Sequence, residues 1–264
     1  MEGNILVIVE GEKTETRFFE RLAEVFGLKF NIYCFATNIY TLYKKMKDVD
    51  FNANIKDILL EKEKDSKNIE ILSKKFAYTY LVFDCDLHHT NKGERRSHKE
   101  TMIENMKELS EMAKYFVDET DPSIGKLCIN YPMMESYRDS NDFFEEEYAK
   151  RTAKIDKIKN YKNIVSTRKI CKCHINKMTN EQFSLLILQN LFKLNFILKD
   201  KWEKHEYSIY LHELDSLRIL NKQNELVTKF DFLSVLNSSL FLIVDYFGNR
   251  NGFYEKLEYK NKSN

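Results

Sequence analysis

The chain has 264 residues, of which 43% are hydrophobic and 31% charged; this is enough for one large domain or a domain with a sizeable appendage. Its 42 basic residues nearly balance 41 acidic ones, and seven glycines with two prolines argue against a turn-rich β-sandwich and for long helices. The five cysteines, Cys34, Cys85, Cys128, Cys171 and Cys173, are odd in number and scattered, and the apolar start is too short for a secretory h-region, so reduced thiols in a cytoplasm are expected.

Ile5–Val9 is a continuous aliphatic run, the signature of a short strand covered on both faces. Thr16–Phe26 follows with Phe18, Phe19, Leu22 and Val25 at helical spacing. Lys29–Phe35 reads as a second strand, and Thr41–Met46 and Ile55–Leu60 as helical segments. Glu61–Lys67 is a polar connector. Tyr78–Phe83 is the next buried strand, and the polar loop His88–Lys99 after it carries Lys92, Arg95 and Arg96. A helix over Lys99–Met112 and a strand over Lys126–Asn130 complete an alternation that implies βαβ units and a parallel sheet.

Two of these strands end abruptly in acid. Glu10 follows the first, and Asp84-Cys85-Asp86 closes the later one. In open α/β sheets ligands bind beyond the carboxyl ends of the strands. Carboxylates gathered there repel one another unless a cation compensates them, and Mg²⁺ or Mn²⁺ prefers such oxygen ligands. On an ideal strand Asp84 and Asp86 face the same way. Gly11 lets the chain turn beside a metal without a side chain blocking phosphate. The competing reading is that Glu10 to Glu15 is an acidic helix start, favoured by the positive end of the helix dipole.

Glu10-Gly11 after a first strand, with Asp84-x-Asp86 after a later one, resembles the Toprim domain of topoisomerases, primases and overcoming-lysogenization-defect nucleases. The longer string Glu10-Gly11-Glu12-Lys13-Thr14-Glu15, with Phe18-Phe19 behind it, is similar to the RloB-type Toprim proteins of bacterial anti-phage and abortive-infection loci. Asn130-Tyr131-Pro132-Met133-Met134-Glu135 resembles their Asn-Pro-x-x-Glu block, departing from it by the inserted Tyr131. The resemblance implies a Rossmann-like, three-layer α/β Toprim domain over residues 1–140, with a mainly parallel sheet. It implies Mg²⁺ (or Mn²⁺) held by Glu10, Asp84 and Asp86 with Glu135 in support, and cleavage of a phosphodiester in DNA or in RNA such as tRNA. It further implies a role in phage defence beside a separate ABC- or SMC-like ATPase. Lys13 is the candidate contact to the scissile phosphate, and Glu15 a candidate to bind a second metal or orient water. Regulation by a partner or by self-association as a homo-oligomer is expected. A non-catalytic Toprim-like module and a housekeeping nuclease for structured RNA are the alternatives.

Residues 141–264 read as a helical region. Between residues 150 and 177 lie ten basic residues and the single acid Asp156. Lys154, Lys157, Lys159, Lys162, Arg168 and Lys169 are the candidate phosphate-backbone contacts, with Tyr161 and His174 available for stacking; the other reading is a solvated, mobile connector. The apolar stretches Glu181–Lys199 and Phe232–Phe247 are interrupted by Asn190, Lys193, Asn195 and by Asn237, Ser238, Ser239, Asp245, so neither is a membrane span. They are expected to form a helical core, or in part a partner surface. His88 and His89 follow the acids closely and are expected to be an exposed loop pair. Cys171, Cys173 and His174 lack a fourth zinc ligand at a sensible spacing, His205 and His212 being the remaining choices.

Overall fold

A computed structural model describes residues 4–90, 98–116, 124–211 and 214–259. The chain divides into two compact units, Met1–Cys128 and Ile129–Asn264, whereas the sequence reading draws its boundary at residue 140. Lys92, Arg95, Arg96, His212 and the lysine-containing tail from Lys260 lie outside the described residues.

The first unit is α/β, built on a four-stranded parallel sheet and compatible with a Rossmann-like fold. Its elements are β1 (Ile5–Val9), α1 (Thr14–Phe26), β2 (Phe30–Cys34), α2 (Ile39–Lys47), α3 (Ile55–Leu60), α4 (Ser66–Leu72), β3 (Tyr78–Asp84), α5 (His98–Tyr115) and β4 (Lys126–Asn130), the unit boundary falling within β4. The strand order is β2-β1-β3-β4. All five residues of β1 are completely buried, which is why its sequence is uniformly aliphatic and not alternating. Val9 is level with Cys34 on one side and Val82 on the other, so β1, β2 and β3 end close to one line.

Helix α1 buries Phe18, Phe19, Leu22 and Ala23 on one face and stops at Gly27, whose φ of +66° allows Leu28 N to close the helix end onto Ala23 O. It begins at Thr14, two residues before the expected start. Helix α4 occupies ground that the sequence reading assigns partly to a connector. Asp65 caps it, accepting from Asn68 N, but only Leu72 is buried, so the helix lacks the apolar stripe that announces such elements.

The second unit carries 3-10 turns at Met134–Arg138 and Glu146–Lys150, then β5 (Thr152–Lys154), α6 (Tyr161–Ser166), α7 (Asn180–Lys199), α8 (Tyr207–Leu211), α9 (Ser216–Phe230), β6 (Phe232–Ser234), α10 (Phe241–Phe247) and α11 (Phe253–Lys256). β5 and β6 form an antiparallel pair. This corrects the expectation of helices alone after residue 140, and of one apolar helical run over Phe232–Phe247: three-residue strands are too short to display a period of two. Helix α7 opens with a reciprocal capping box between Thr179 and Gln182.

The polar residues that interrupt the apolar stretches are inside. Asn190, Lys193, Asn195, Asn237 and Ser239 are fully buried. Asn237 donates its backbone N–H to Asn190 Oδ1 at 2.8 Å and its side-chain amide to Met134 O at 2.9 Å. Ser238 Oγ donates to Ile129 O, and Asn130 Oδ1 accepts from Ser239 N. Buried polar groups persist in a core only when so paired. No helix among the described residues is long and apolar enough to cross a membrane.

Candidate active site

The carboxyl edge of the first unit's sheet brings Glu10 and Asp84 together. Glu10 leaves β1 at the point where β3, the neighbouring strand, reaches Asp84, and Glu10 Oε2 accepts the backbone N–H of Asp84 at 3.2 Å. That contact links the two sequence motifs across 74 positions. Glu10 is therefore tied to a strand end; the cap position of α1 is held by Lys13, whose side chain makes no capping hydrogen bond.

Glu15, in the first turn of α1, folds its carboxylate back over Gly11: a Cβ built on Gly11 would stand 2.6 Å from Glu15 Oε2. Glycine here leaves room for a third carboxylate at the Glu10 turn. The field of this acidic edge is felt at Cys34, the last residue of β2. Its thiol is pushed up by burial first, against a backbone hydrogen bond from Ala36, and further by Glu12, Glu15 and Glu10. Lys13 is exposed.

Asp86 departs from the expected geometry. β3 ends at Asp84, and Asp86 adopts φ +23°, a conformation L-residues rarely hold. The alternation that would have set Asp84 and Asp86 side by side stops between them, at the fully buried Cys85. Asp86 Oδ1 lies 2.8 Å from His88 Nδ1. The Cys85 thiol is held well above its usual range by burial, reinforced by Asp86 and Asp84.

The histidines are not an exposed pair. Both are half-buried, and His89 is held on three sides. Its ring stacks on Tyr40 at 5.2 Å and 5°, its Nδ1 is 3.0 Å from Asn38 Nδ2, and its backbone O accepts from Asn105 Nδ2 at 2.9 Å. Asn105 also donates to Leu87 O, and Tyr40 Oη donates to Cys85 O. Burial, then the charges of Cys85, Asp86, Glu108 and Glu10, keeps the Tyr40 phenol well above its usual range. Asn38, Tyr40 and Asn105 were not singled out from sequence. Asn38 was detectable as an N-cap before an apolar helix start; nothing in sequence points to Asn105.

The carboxylate oxygens at this edge are hard donors, which suit Mg²⁺ or Mn²⁺. Among the described residues no three His, Cys, Asp or Glu side chains already stand in a metal-holding arrangement. Mg²⁺ is often held by one or two protein carboxylates, with water and phosphate oxygens completing the shell; Glu10 and Asp84 are the residues at this edge that could hold one.

The remaining candidates lie in the second unit. Glu135 sits in the Met134–Arg138 turn, 5% exposed, with Oε1 3.1 Å from Lys162 Nζ. Arg168 donates from Nε to Oδ1 of the buried Asp139 at 2.8 Å, and Tyr161 donates to Asp139 Oδ2 at 2.9 Å. Arg168 is thus half-buried and engaged within the fold. Tyr161 is 2% exposed, which removes it as a stacking platform. Lys154, Lys157, Lys159, Lys162 and Lys169 are exposed. The stripe that carries them is folded and anchored by the buried Ile158, Tyr161, Val165 and Ile170, which corrects the mobile-connector reading. Cys171 and Cys173 are free thiols, and His205 is taken up by Asn195 and Lys199. Family models, curated proteins and solved structures were all compared with the chain, and none of the three gives a match.

Proposed function

We propose that this chain is a Toprim-type, divalent-metal-dependent nuclease whose centre is the carboxyl edge of β1 and β3. The observation that supports this most is that Glu10 Oε2 accepts the backbone N–H of Asp84, which sets the acid-bearing ends of β1 and β3 side by side at the sheet edge where α/β folds bind ligands. Glu10 and Asp84 would hold a Mg²⁺ or Mn²⁺ ion there, with Asp86 as a further carboxylate of the same unit. When bound, that ion supplies Lewis-acid polarisation of a phosphoryl oxygen. Exposed Lys13 offers a positive charge to the phosphate, and Glu15 accepts a hydrogen bond from the attacking water. The exposed lysines Lys154, Lys157, Lys159, Lys162 and Lys169 track the phosphate backbone of DNA or RNA without reading sequence. The resemblance extends the proposal to a cytoplasmic phage-defence effector, self-associating or held in check by a separate ABC- or SMC-like ATPase.

The partner-module alternative relied on the apolar segments at 181–199 and 232–247. Their large apolar residues, Leu186, Leu191, Leu194, Leu233, Phe241 and Ile243 among them, face the interior of the second unit, which weighs against a docking surface built from those segments.

The test is to incubate the purified protein with plasmid DNA and with total tRNA, each with Mg²⁺, Mn²⁺ or EDTA. Cutting of either substrate that EDTA abolishes supports the proposal. Intact substrates under every condition, with the neighbouring gene products present, overturn it.

A further inference from the structure

We infer that His89 is a phosphate-binding residue of this site, acting as a neutral imidazole whose proton is fixed on Nε2 by Asn38. The inference rests on the nuclease reading for its ligand, a non-bridging phosphate oxygen, but the tautomer follows from contacts within the first unit alone.

The orientation of the Asn38 amide decides the tautomer. Asn38 is the N-cap of α2: its Oδ1 accepts from Thr41 N at 3.0 Å and from Thr41 Oγ1 at 3.2 Å. An amide turned the other way would point its NH₂ at the helix-start donor, so Oδ1 must face Thr41 and Nδ2 must face His89. Nδ2 can only donate. The His89 nitrogen it meets at 3.0 Å, Nδ1, is therefore the acceptor, and the ring proton of the neutral imidazole resides on Nε2. No described residue accepts a hydrogen bond from Nε2, the N–H that would meet the phosphate oxygen.

The ring is also held in place. Tyr40 stacks beneath it, and Tyr40 is itself fixed by donating to Cys85 O, the residue between the two aspartates. His89 N donates to Asp86 O at 2.9 Å, and Asn105 clamps the Leu87 and His89 carbonyls. A rigid, uncharged donor beside a carboxylate cluster suits a phosphate oxygen: it adds a hydrogen bond without neutralising the acids that would hold the cation. His89 thus contacts the phosphate, and Asn38 is its positioning residue.

The substitution that isolates the effect is Asn38→Asp. Aspartate keeps the helix cap but can only accept, so in the neutral ring it draws the proton to Nδ1 and leaves Nε2 bare; the comparison is made at a pH high enough to keep the ring uncharged beside the new carboxylate. ¹⁵N-detected NMR of the imidazole in the intact chain reads the tautomer directly: wild type shows a protonated Nε2 and a bare Nδ1, and Asn38→Asp the reverse. Adding inorganic phosphate shifts the wild-type Nε2 signal and leaves that of Asn38→Asp unmoved. In the cleavage assay Asn38→Asp and His89→Phe, which keeps the stacked ring, lower kcat by about 100- to 1000-fold, the scale of one lost donor. His89→Gln, which restores an N–H near the Nε2 position, recovers most of it. A wild-type proton on Nδ1, or a phosphate response equal in wild type and Asn38→Asp, overturns the inference whether or not the protein is a nuclease. Absence of any cleavage with the NMR result intact would sink the nuclease reading and leave His89 as an anion donor.

Discussion

Lys193 offers a quantitative check on the interior of the second unit. Its side chain is fully buried on α7, donating from Nζ to Ala149 O and Arg151 O, with Tyr148 and Phe196 rings beside the ammonium. Burial above all, aided by the nearby Arg151 charge and opposed by Asp139, brings its pKa down to about 7 from 10.5. Between those two values the unfolded chain binds the proton and the folded chain does not, so raising the pH favours the folded state. The linkage relation makes this about 2 kcal/mol of added stability between about pH 7 and pH 9. Lys193→Met keeps the stem and removes the amine. Urea denaturation of both proteins at several pH values cancels every other titrating group in the difference. The wild type should gain about 2 kcal/mol on the variant across that interval. Parallel pH dependences would show that the buried amine stays charged in the fold and would refute the reasoning.

Other perturbations separate site from scaffold. Gly11→Ala must displace the Glu15 carboxylate; because that carboxylate ends a flexible side chain, stability should change by less than about 1 kcal/mol, while cleavage falls if Glu15 is needed where it lies. Arg168→Ala leaves the buried Asp139 without its cation and should cost about 3 kcal/mol in chemical denaturation. By contrast, alanine at exposed Lys157 and Lys159 should leave stability within about 0.5 kcal/mol and lower the salt dependence of nucleic-acid binding by about one unit per lysine. Asn237→Ala strips the buried Met134 carbonyl and Ser239 hydroxyl of a partner and should destabilise by about 2–4 kcal/mol in the same denaturation assay.

The parts of the first unit that were legible in sequence are those where a single physical rule dominates. Ile5–Val9 could be read as a strand because burial on both faces leaves no polar position, and the Glu10 and Asp84 motifs could be paired because both sit where such runs end. The in-line placing of Asp86 with Asp84 fails because a period-two argument assumes the strand continues, and β3 ends at Asp84 before the positive φ of Asp86. The support of His89 was hidden because Asn38, Tyr40 and Asn105 come from three separate elements, and no local pattern signals a long-range hydrogen bond. In the second unit, Lys193 and Asn190 looked like interruptions of an apolar helix. Their role as buried, paired groups depends on carbonyls and amides some forty residues away, which composition does not reveal. The basic stripe could be seen as a charge pattern, yet charge alone did not tell Arg168, bound to Asp139, from Lys157, facing solvent.

The central claim, that the Glu10–Asp84 edge is a cation-dependent phosphodiester-cleaving centre, is tested most directly by comparing wild type, Glu10→Gln and Asp84→Asn on whichever substrate is cut with Mg²⁺. The account predicts that each variant stays folded by circular dichroism and loses activity by about a hundredfold or more, on the scale of a lost electrostatic contribution to the transition state. Wild-type rates in either variant would contradict it.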